Sequence, residues 1–387
     1  MLSRGIKPLA LKLALLTVVV SLVIVTGGCI GLGGTQAGWS GVVADNGSIY
    51  FASSGGELIK KSAENGSQEW FIPFEAESSG SLLGCGGGTT VIPIYGTPAI
   101  EGEKIYVATF SGSISAFNTD GASIWEYPGA NEDSHAFIGG PVVGNGKVYA
   151  AAANGIIYAL DANTGGLLWK MELEEDVWAA PSIQDNALYI GTYNKKVYAL
   201  DAESGERLWQ QPFETNGPIV STPLLDNGRV YVASFDRHIY ALDAASGELE
   251  WKFPQTEGNG QNTPQKWFWA STVLYNSSIY AASMDGNVYV LEAASGSLVT
   301  VIELGSAVSA TPVAAGDKIF IATREGNLFY IDTGDNSRRE LPQLGGKVTA
   351  PLTTSDSVVY IHTQEDEMIY AINADSGVPL WNDTITE

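Results

Sequence analysis

The side chains able to do chemistry are few and scattered. His135, His238 and His362 show no metal-ligand spacing, so no zinc site is expected. Gly86-Gly87-Gly88 lacks the following Lys-[Ser/Thr] and the strand-to-helix setting of a phosphate loop, and reads as a flexible turn. Neither a Ser/His/Asp arrangement nor a close acid pair can be assigned from spacing, so no catalytic residue, metal or cofactor is assigned. Aromatic side chains mixed with acids stand out instead. Tyr95 lies in the stretch 74–97, Glu132, Asp133 and His135 in 127–137, and Trp267, Phe268 and Trp269 in 253–270. Shorter stretches add Trp178, after Glu174-Glu175-Asp176, and Phe213, before Glu214. Aromatic anchors among polar residues are the chemistry of recognition, because rigid rings bury a large area at small entropic cost. These nine residues form the candidate partner-binding face. For Trp178 and Trp269 the competing reading is that the rings point inward, to fill a channel or pack between repeats.

What positions them is a repeat. Asp161, Gly165 and Trp169 recur as Asp201, Gly205 and Trp209 and again as Asp243, Gly247 and Trp251, in the pattern A-x-D-x-x-[TS]-G-x-x-x-W. The fullest unit reads as four antiparallel strands. Pro141-Val142-Val143 is followed by an Asn145-Gly146 hairpin turn, then 147–152, a turn at Asn154-Gly155, 156–161, and a last strand carrying Trp169. Asp161 is expected to accept backbone N–H groups of the corner that Thr164 and Gly165 close, and Trp169 to bury its ring against the neighbouring sheet.

The unit can be traced eight times. Its first-strand position falls at Val42, Pro98, Pro141, Pro181, Pro223, Val273, Pro312 and Pro351, and its second-strand aromatic at Tyr50, Tyr106, Tyr149, Tyr189, Tyr231, Tyr280, Phe320 and Tyr360. Four-stranded sheets of this length packed radially give an all-β, eight-bladed β-propeller, ahead of a β-solenoid, whose repeats are shorter. The corner varies toward the ends of the array: unit two has Asn118 and Trp125, and unit eight keeps Gly377 and Trp381. Units six and seven have Thr300 and Glu340 where tryptophan is expected, which predicts weaker packing there. All four strands of the eighth unit are found near the C-terminus, so no strand exchange is evident, although the segment before Val42 could add one.

The N-terminus reads as an export signal over 1–28, a Gly-rich tether over 29–40, and the propeller over 41–387. Arg4, Lys7 and Lys12 precede a short aliphatic run from 13 to 25, and small residues lead to Cys29. Small residues before a cysteine resemble a bacterial lipoprotein signal, with Cys29 as the lipid-attachment residue, although Thr26 stands where leucine is usual. An uncleaved anchor is the other reading. Either way the propeller is expected to be exported and held at a membrane surface on the extracytoplasmic side. With a formal charge of −23, nucleic acid is disfavoured as a partner. Committing Cys29 to lipid leaves Cys85 with no partner for an intrachain disulfide.

The corner motif resembles that of the quinoprotein-like, PQQ-type repeat propellers, over about 41–387. Two branches matter. Quinone dehydrogenases of this kind imply a larger propeller with calcium, a catalytic aspartate and often a Cys-Cys pair, which this chain does not have. The BamB-like lipoproteins are closer in length, blade number and anchor, and that resemblance implies a scaffold that docks protein or peptide partners without cofactor or catalysis. The readings carried forward are this scaffold, a quinone and calcium dehydrogenase, and a carbohydrate-binding propeller that stacks sugars on Trp267 and Trp269.

Overall fold

The computed structural model describes residues 40–77, 89–128, 135–255 and 262–385. Within them, eight four-stranded antiparallel sheets follow one another along the chain, spanning 43–73, 99–127, 142–172, 182–214, 224–253, 273–303, 313–340 and 353–384. Hydrophobic clusters form between consecutive blades, and the series closes on itself. Tyr50, Leu58, Ile105 and Phe117 join blades 1 and 2, while Ile49, Phe51, Tyr360 and Ile369 join blades 1 and 8. The body is an eight-bladed β-propeller.

Strand pairing fixes the register of the repeat. The first residue of each innermost strand lies opposite the second-strand aromatic, as in Val142 with Tyr149, Val273 with Tyr280 and Thr353 with Tyr360. Two sequence markers therefore need correction by one residue. The equivalents of Pro141 are Thr272, not Val273, and Leu352, not Pro351.

The corner motif works between blades rather than within one. Asp161 Oδ1 accepts from Asn163 N, Thr164 N and Thr164 Oγ1 at 3.0, 2.8 and 2.9 Å, and Asp201 and Asp243 repeat the arrangement. Hydrogen bonds from the backbone hold all three carboxyls below the usual aspartate range. The next residue, Ala162, offers its carbonyl to the preceding blade, where Trp125 Nε1 and Tyr106 OH donate at 3.2 and 3.1 Å. The same pair of bonds joins Trp169 and Tyr149 to Ala202, and Trp209 and Tyr189 to Ala244. Above each such carbonyl the motif glycine, at positive φ, lies flat on the neighbour's indole. A methyl on Gly205 would come within 2.7 Å of Trp169, and one on Gly165 within 2.6 Å of Trp125. The glycine thus supplies both a left-handed turn and room for a ring.

Trp70 of blade 1 belongs to the same series: its indole donates to Thr119 O at 3.1 Å and lies over Gly121. Opposite the tryptophan on the third strand stands alanine in blades 2, 3, 5 and 8, as in Ala159 facing Trp169 and Ala241 facing Trp251, and Lys60 in blade 1. In blades 6 and 7 that position is filled by Val290 and Tyr330. Blade 7 also lacks the bulge that the other long hairpins carry, so Arg339, not Glu340, lies opposite Tyr330, and Leu341 covers Gly377. The space left by the missing indoles is refilled rather than left open.

Blade 8 is complete within 353–384, and blade 1 within 43–73, so closure needs no exchanged strand among the described residues. Side chains join the two instead. Lys61, 1% exposed, pairs with Asp383 and donates to Thr384 O at 3.1 Å. Trp381 Nε1 donates to Ala63 O at 3.0 Å, and buried His362 holds Ser40 O through Nδ1 at 2.8 Å.

Candidate partner-binding face at the channel mouth

One face of the ring carries the connections from each outer strand to the next inner strand, together with the loops between second and third strands. Backbone bonds lace the two sets together. Phe110 N donates to Pro93 O at 3.0 Å, Tyr193 N to Asp176 O at 2.8 Å, and Phe235 N to Pro218 O at 2.9 Å. Met284 to Trp267, Arg324 to Ala307 and Gln364 to Lys347 continue the series at 3.1, 2.8 and 2.7 Å. Return bonds such as Ile219 N to Thr192 O, at 3.0 Å, complete a rigid collar.

This collar sets two rows of side chains around the axis. The first row lies four residues before each inner strand: Tyr95, Ile138, Trp178, Val220, Trp269, Ser309 and Thr349. All seven line an axial cavity of about 280 Å³. Tyr95, Trp178 and Trp269 are thus equivalent residues of blades 2, 4 and 6, and the rings of Trp178 and Trp269 are half-buried in the channel lining. The second row lies four residues after each second-strand aromatic: Ser54, Phe110, Ala153, Tyr193, Phe235, Met284, Arg324 and Gln364. Each aromatic of this row meets one of the first. Phe110 packs edge-on to Tyr95 with centroids 5.3 Å apart, Tyr193 lies 4.4 Å from Trp178, and Phe235 sits 5.5 Å from Trp269 and 6.0 Å from Trp267. Trp267 is 42% exposed.

The second row is legible in the sequence by its constant offset from the counted aromatics. Other candidates fall elsewhere. Phe268 is fully buried against Tyr289 and Phe253 between blades 5 and 6. Phe213 packs edge-on to Tyr240 between blades 4 and 5, because its short strand pairs with the blade-4 sheet and turns the ring inward. His135 lines a separate peripheral cavity with Tyr127, Tyr158 and Lys170. Glu132 and Asp133, like Cys29 and Cys85, lie outside the described residues.

The acids of this face hold loops in place. Asp236 Oδ2 accepts Asn216 N at 2.8 Å and Tyr240 OH at 2.7 Å, and its equivalent Asp285 accepts Gln265 N at 2.8 Å and Tyr289 OH at 3.0 Å. Burial alone would raise the Asp236 carboxyl, but hydrogen bonds from His238, Tyr240 and Asn216 N outweigh it and hold it below the usual range. Burial and the neighbouring carboxylate raise Tyr240 and Tyr289. Glu175 is paired with Lys196. What faces solvent at the mouth is ring and hydroxyl, together with the exposed carboxylates of Glu174 and Asp176.

Calcium with a quinone requires carboxylate and amide donors converging on one point. The axial cavity is lined by rings, aliphatic groups, hydroxyls and backbone, with no carboxylate. Among the described residues no group of three or more His, Cys, Asp or Glu gathers to hold a metal ion. The donor set does not fit that cofactor.

The chain is 30% identical over 105 residues to the outer membrane protein assembly factor BamB of Xanthomonas campestris, a match covering 25% of this chain and 26% of that one. It is 31% identical over 137 residues to the serine/threonine-protein kinase AfsK of Streptomyces griseus, covering 35% of this chain and 16% of the kinase. The chain spans less than half the length of the curated relatives it matches. The crystal structure of BamB from Moraxella catarrhalis superposes with a TM-score of 0.65 at 19% identity, over 83% of this chain and 90% of that one. Quinohemoprotein alcohol dehydrogenase from Comamonas testosteroni gives 0.65 at 14% identity, over 87% and 71%. At these identities the structures share the fold alone. The sequence model of the family described as outer membrane protein assembly factor BamB matches residues 31–157 and 153–383, so the chain belongs to that family of PQQ-type repeat propellers.

Proposed function

We propose that this propeller is a non-catalytic docking scaffold of the cell envelope, whose channel-mouth face holds a protein or peptide partner. The observation that carries the reading is the double row of aromatic side chains on a hydrogen-bonded collar. A rigid, half-exposed ring surface suits a partner's apolar side chains, since little entropy is lost on contact. Membership in a family described as an assembly factor supports a binding role, and the basic and aliphatic N-terminus ending at Cys29 supports export and tethering by lipid. One experiment tests docking directly. A photo-crosslinking residue at Phe110, irradiated in native membranes, should yield discrete adducts identified by mass spectrometry, and Trp267→Ala should erase them without unfolding the protein. Adducts unchanged by Trp267→Ala would remove this face from the reading. Turnover of an alcohol with added quinone and calcium would overturn the non-catalytic role, and specific glycan-array binding would replace the protein partner with sugar. Cys29→Ser releasing the protein from membranes is the expected sign of the anchor.

A further inference from the structure

On the blade 6 to blade 8 side of the mouth the aromatic rows give way to donors. Trp269, Met284, Ser309, Arg324, Thr349 and Gln364 line a second cavity of about 240 Å³, continuous with the axial one through Trp269, Ser309 and Thr349. Two features set it apart. Ser309 is only 7% exposed, and its Oγ, like Oγ1 of Thr349, is buried with no hydrogen-bond partner, although buried hydroxyls in folded proteins nearly always have one. Arg324, in a chain of net charge −23, forms no ion pair among the described residues. Three neighbouring acids are committed: Glu325 to Ser306 Oγ at 2.6 Å, Glu365 to Lys347, and Asp285 to Gln265 N and Tyr289 OH. Asp366 is not: its carboxylate packs on Gly345 and Gly346, away from the cavity lining, with both oxygens buried and unpartnered.

An unpaired guanidinium, two unpaired hydroxyls and an amide around one small space match a carboxylate. Trp269 and Met284 beside them match an apolar side chain. The donors and the apolar wall share one space of about 240 Å³, so the carboxylate and the apolar side chain that fill it sit side by side. A chain-terminal apolar residue carries both on one Cα. We propose that this cavity captures the free C-terminal carboxylate of a partner's extended segment, with the last apolar side chain seated on Trp269 and Met284. The proposal rests on the docking reading and names what that face selects.

The test uses the purified protein with three probes: N-acetyl-Leu-Phe, its C-terminal amide, and N-acetyl-Glu-Phe-amide, whose only carboxylate is on a side chain. Dissociation constants come from titration calorimetry, with tryptophan fluorescence as the second readout. The free acid should bind at least tenfold more tightly than either amide, and Arg324→Gln should abolish the preference while the melting temperature stays native. Ser309→Ala with Thr349→Val should weaken the acid alone by several-fold. Equal affinity for acid and amide, equal binding of the side-chain acid, or a preference surviving Arg324→Gln would each overturn the assignment. Failure here with intact Trp267-dependent crosslinks leaves docking standing, whereas a wild-type protein that gives no crosslinks removes docking itself.

Discussion

Two glycines with the same backbone and different neighbours separate the parts of blade cohesion. Gly205 has φ +75° and Gly146 φ +72°, so alanine at either carries the same left-handed strain, about 1–2 kcal/mol. A methyl at Gly146 meets nothing within 4 Å, while one at Gly205 comes within 2.7 Å of Trp169. Overpacking of that kind costs a further ~1–3 kcal/mol, because the indole is pinned by its bond to Ala202 O at 3.1 Å and cannot withdraw. Gly205→Ala should therefore lose about 2–5 kcal/mol in urea unfolding, and Gly146→Ala about 1–2 kcal/mol. In a Trp169→Leu background the ring is gone, and the cost of Gly205→Ala should fall to that of Gly146→Ala, a coupling of ~1–3 kcal/mol. Equal costs for the two glycines, or additivity with Trp169→Leu, would refute the claim that the motif glycine exists to seat the neighbour's tryptophan.

Burial lowers the affinity of His362 for protons against the opposing pull of Ser40 O, Glu367 and Asp366, so the folded state favours the neutral ring. Unfolded histidine binds a proton near pH 6.5, so stability should be full above that pH and fall below it until the folded ring also titrates; His362→Gln should flatten thermal stability between pH 6.5 and 5. The corner carboxyls of Asp161, Asp201 and Asp243 are held low, so their contribution persists above about pH 4 and is lost as acid titrates them, in wild type and variant alike. Adjacent residues at the mouth should behave oppositely: Phe268→Ala, in the core, should cost ~3–5 kcal/mol by thermal denaturation, and half-exposed Trp267→Ala about 1 kcal/mol. Thr300→Trp should destabilise by ~1–3 kcal/mol in urea, because Val290 and Asn336 occupy the slot, and adding Val290→Ala with Asn336→Gly should recover the loss.

The sequence carried the blade count because one aromatic per second strand recurs at fixed spacing and faces a fixed first-strand residue. Period-two alternation and Asn-Gly turns are local signals, and pairing merely realises them. The partners of the corner motif were not local. Gly205 and Trp209 share one repeat, but each serves a different neighbour, Gly205 seating Trp169 and Trp209 reaching Ala244. A linear pattern cannot show that. The same limit misplaced Glu340: only the strand register, lacking a bulge in blade 7, puts Arg339 across from Tyr330.

The repeat also explains where function has room. Where the motif is complete, as in blades 3 to 5, the second-strand aromatic, the motif glycine and the tryptophan are consumed by a neighbour and the corner acid by its own turn, and the acid one residue beyond the collar position, as in Asp236 and Asp285, is consumed by the connecting loop. The positions left free are four after the aromatic and four before the inner strand. Those are the positions whose chemistry varies from blade to blade, from rings at Phe110, Trp178 and Phe235 to donors at Ser309, Arg324 and Thr349. Because the collar fixes their backbones identically, side-chain identity alone distinguishes one sector of the mouth from another. The surface is graded from aromatic to polar around its rim, and such a gradient gives an extended ligand a direction.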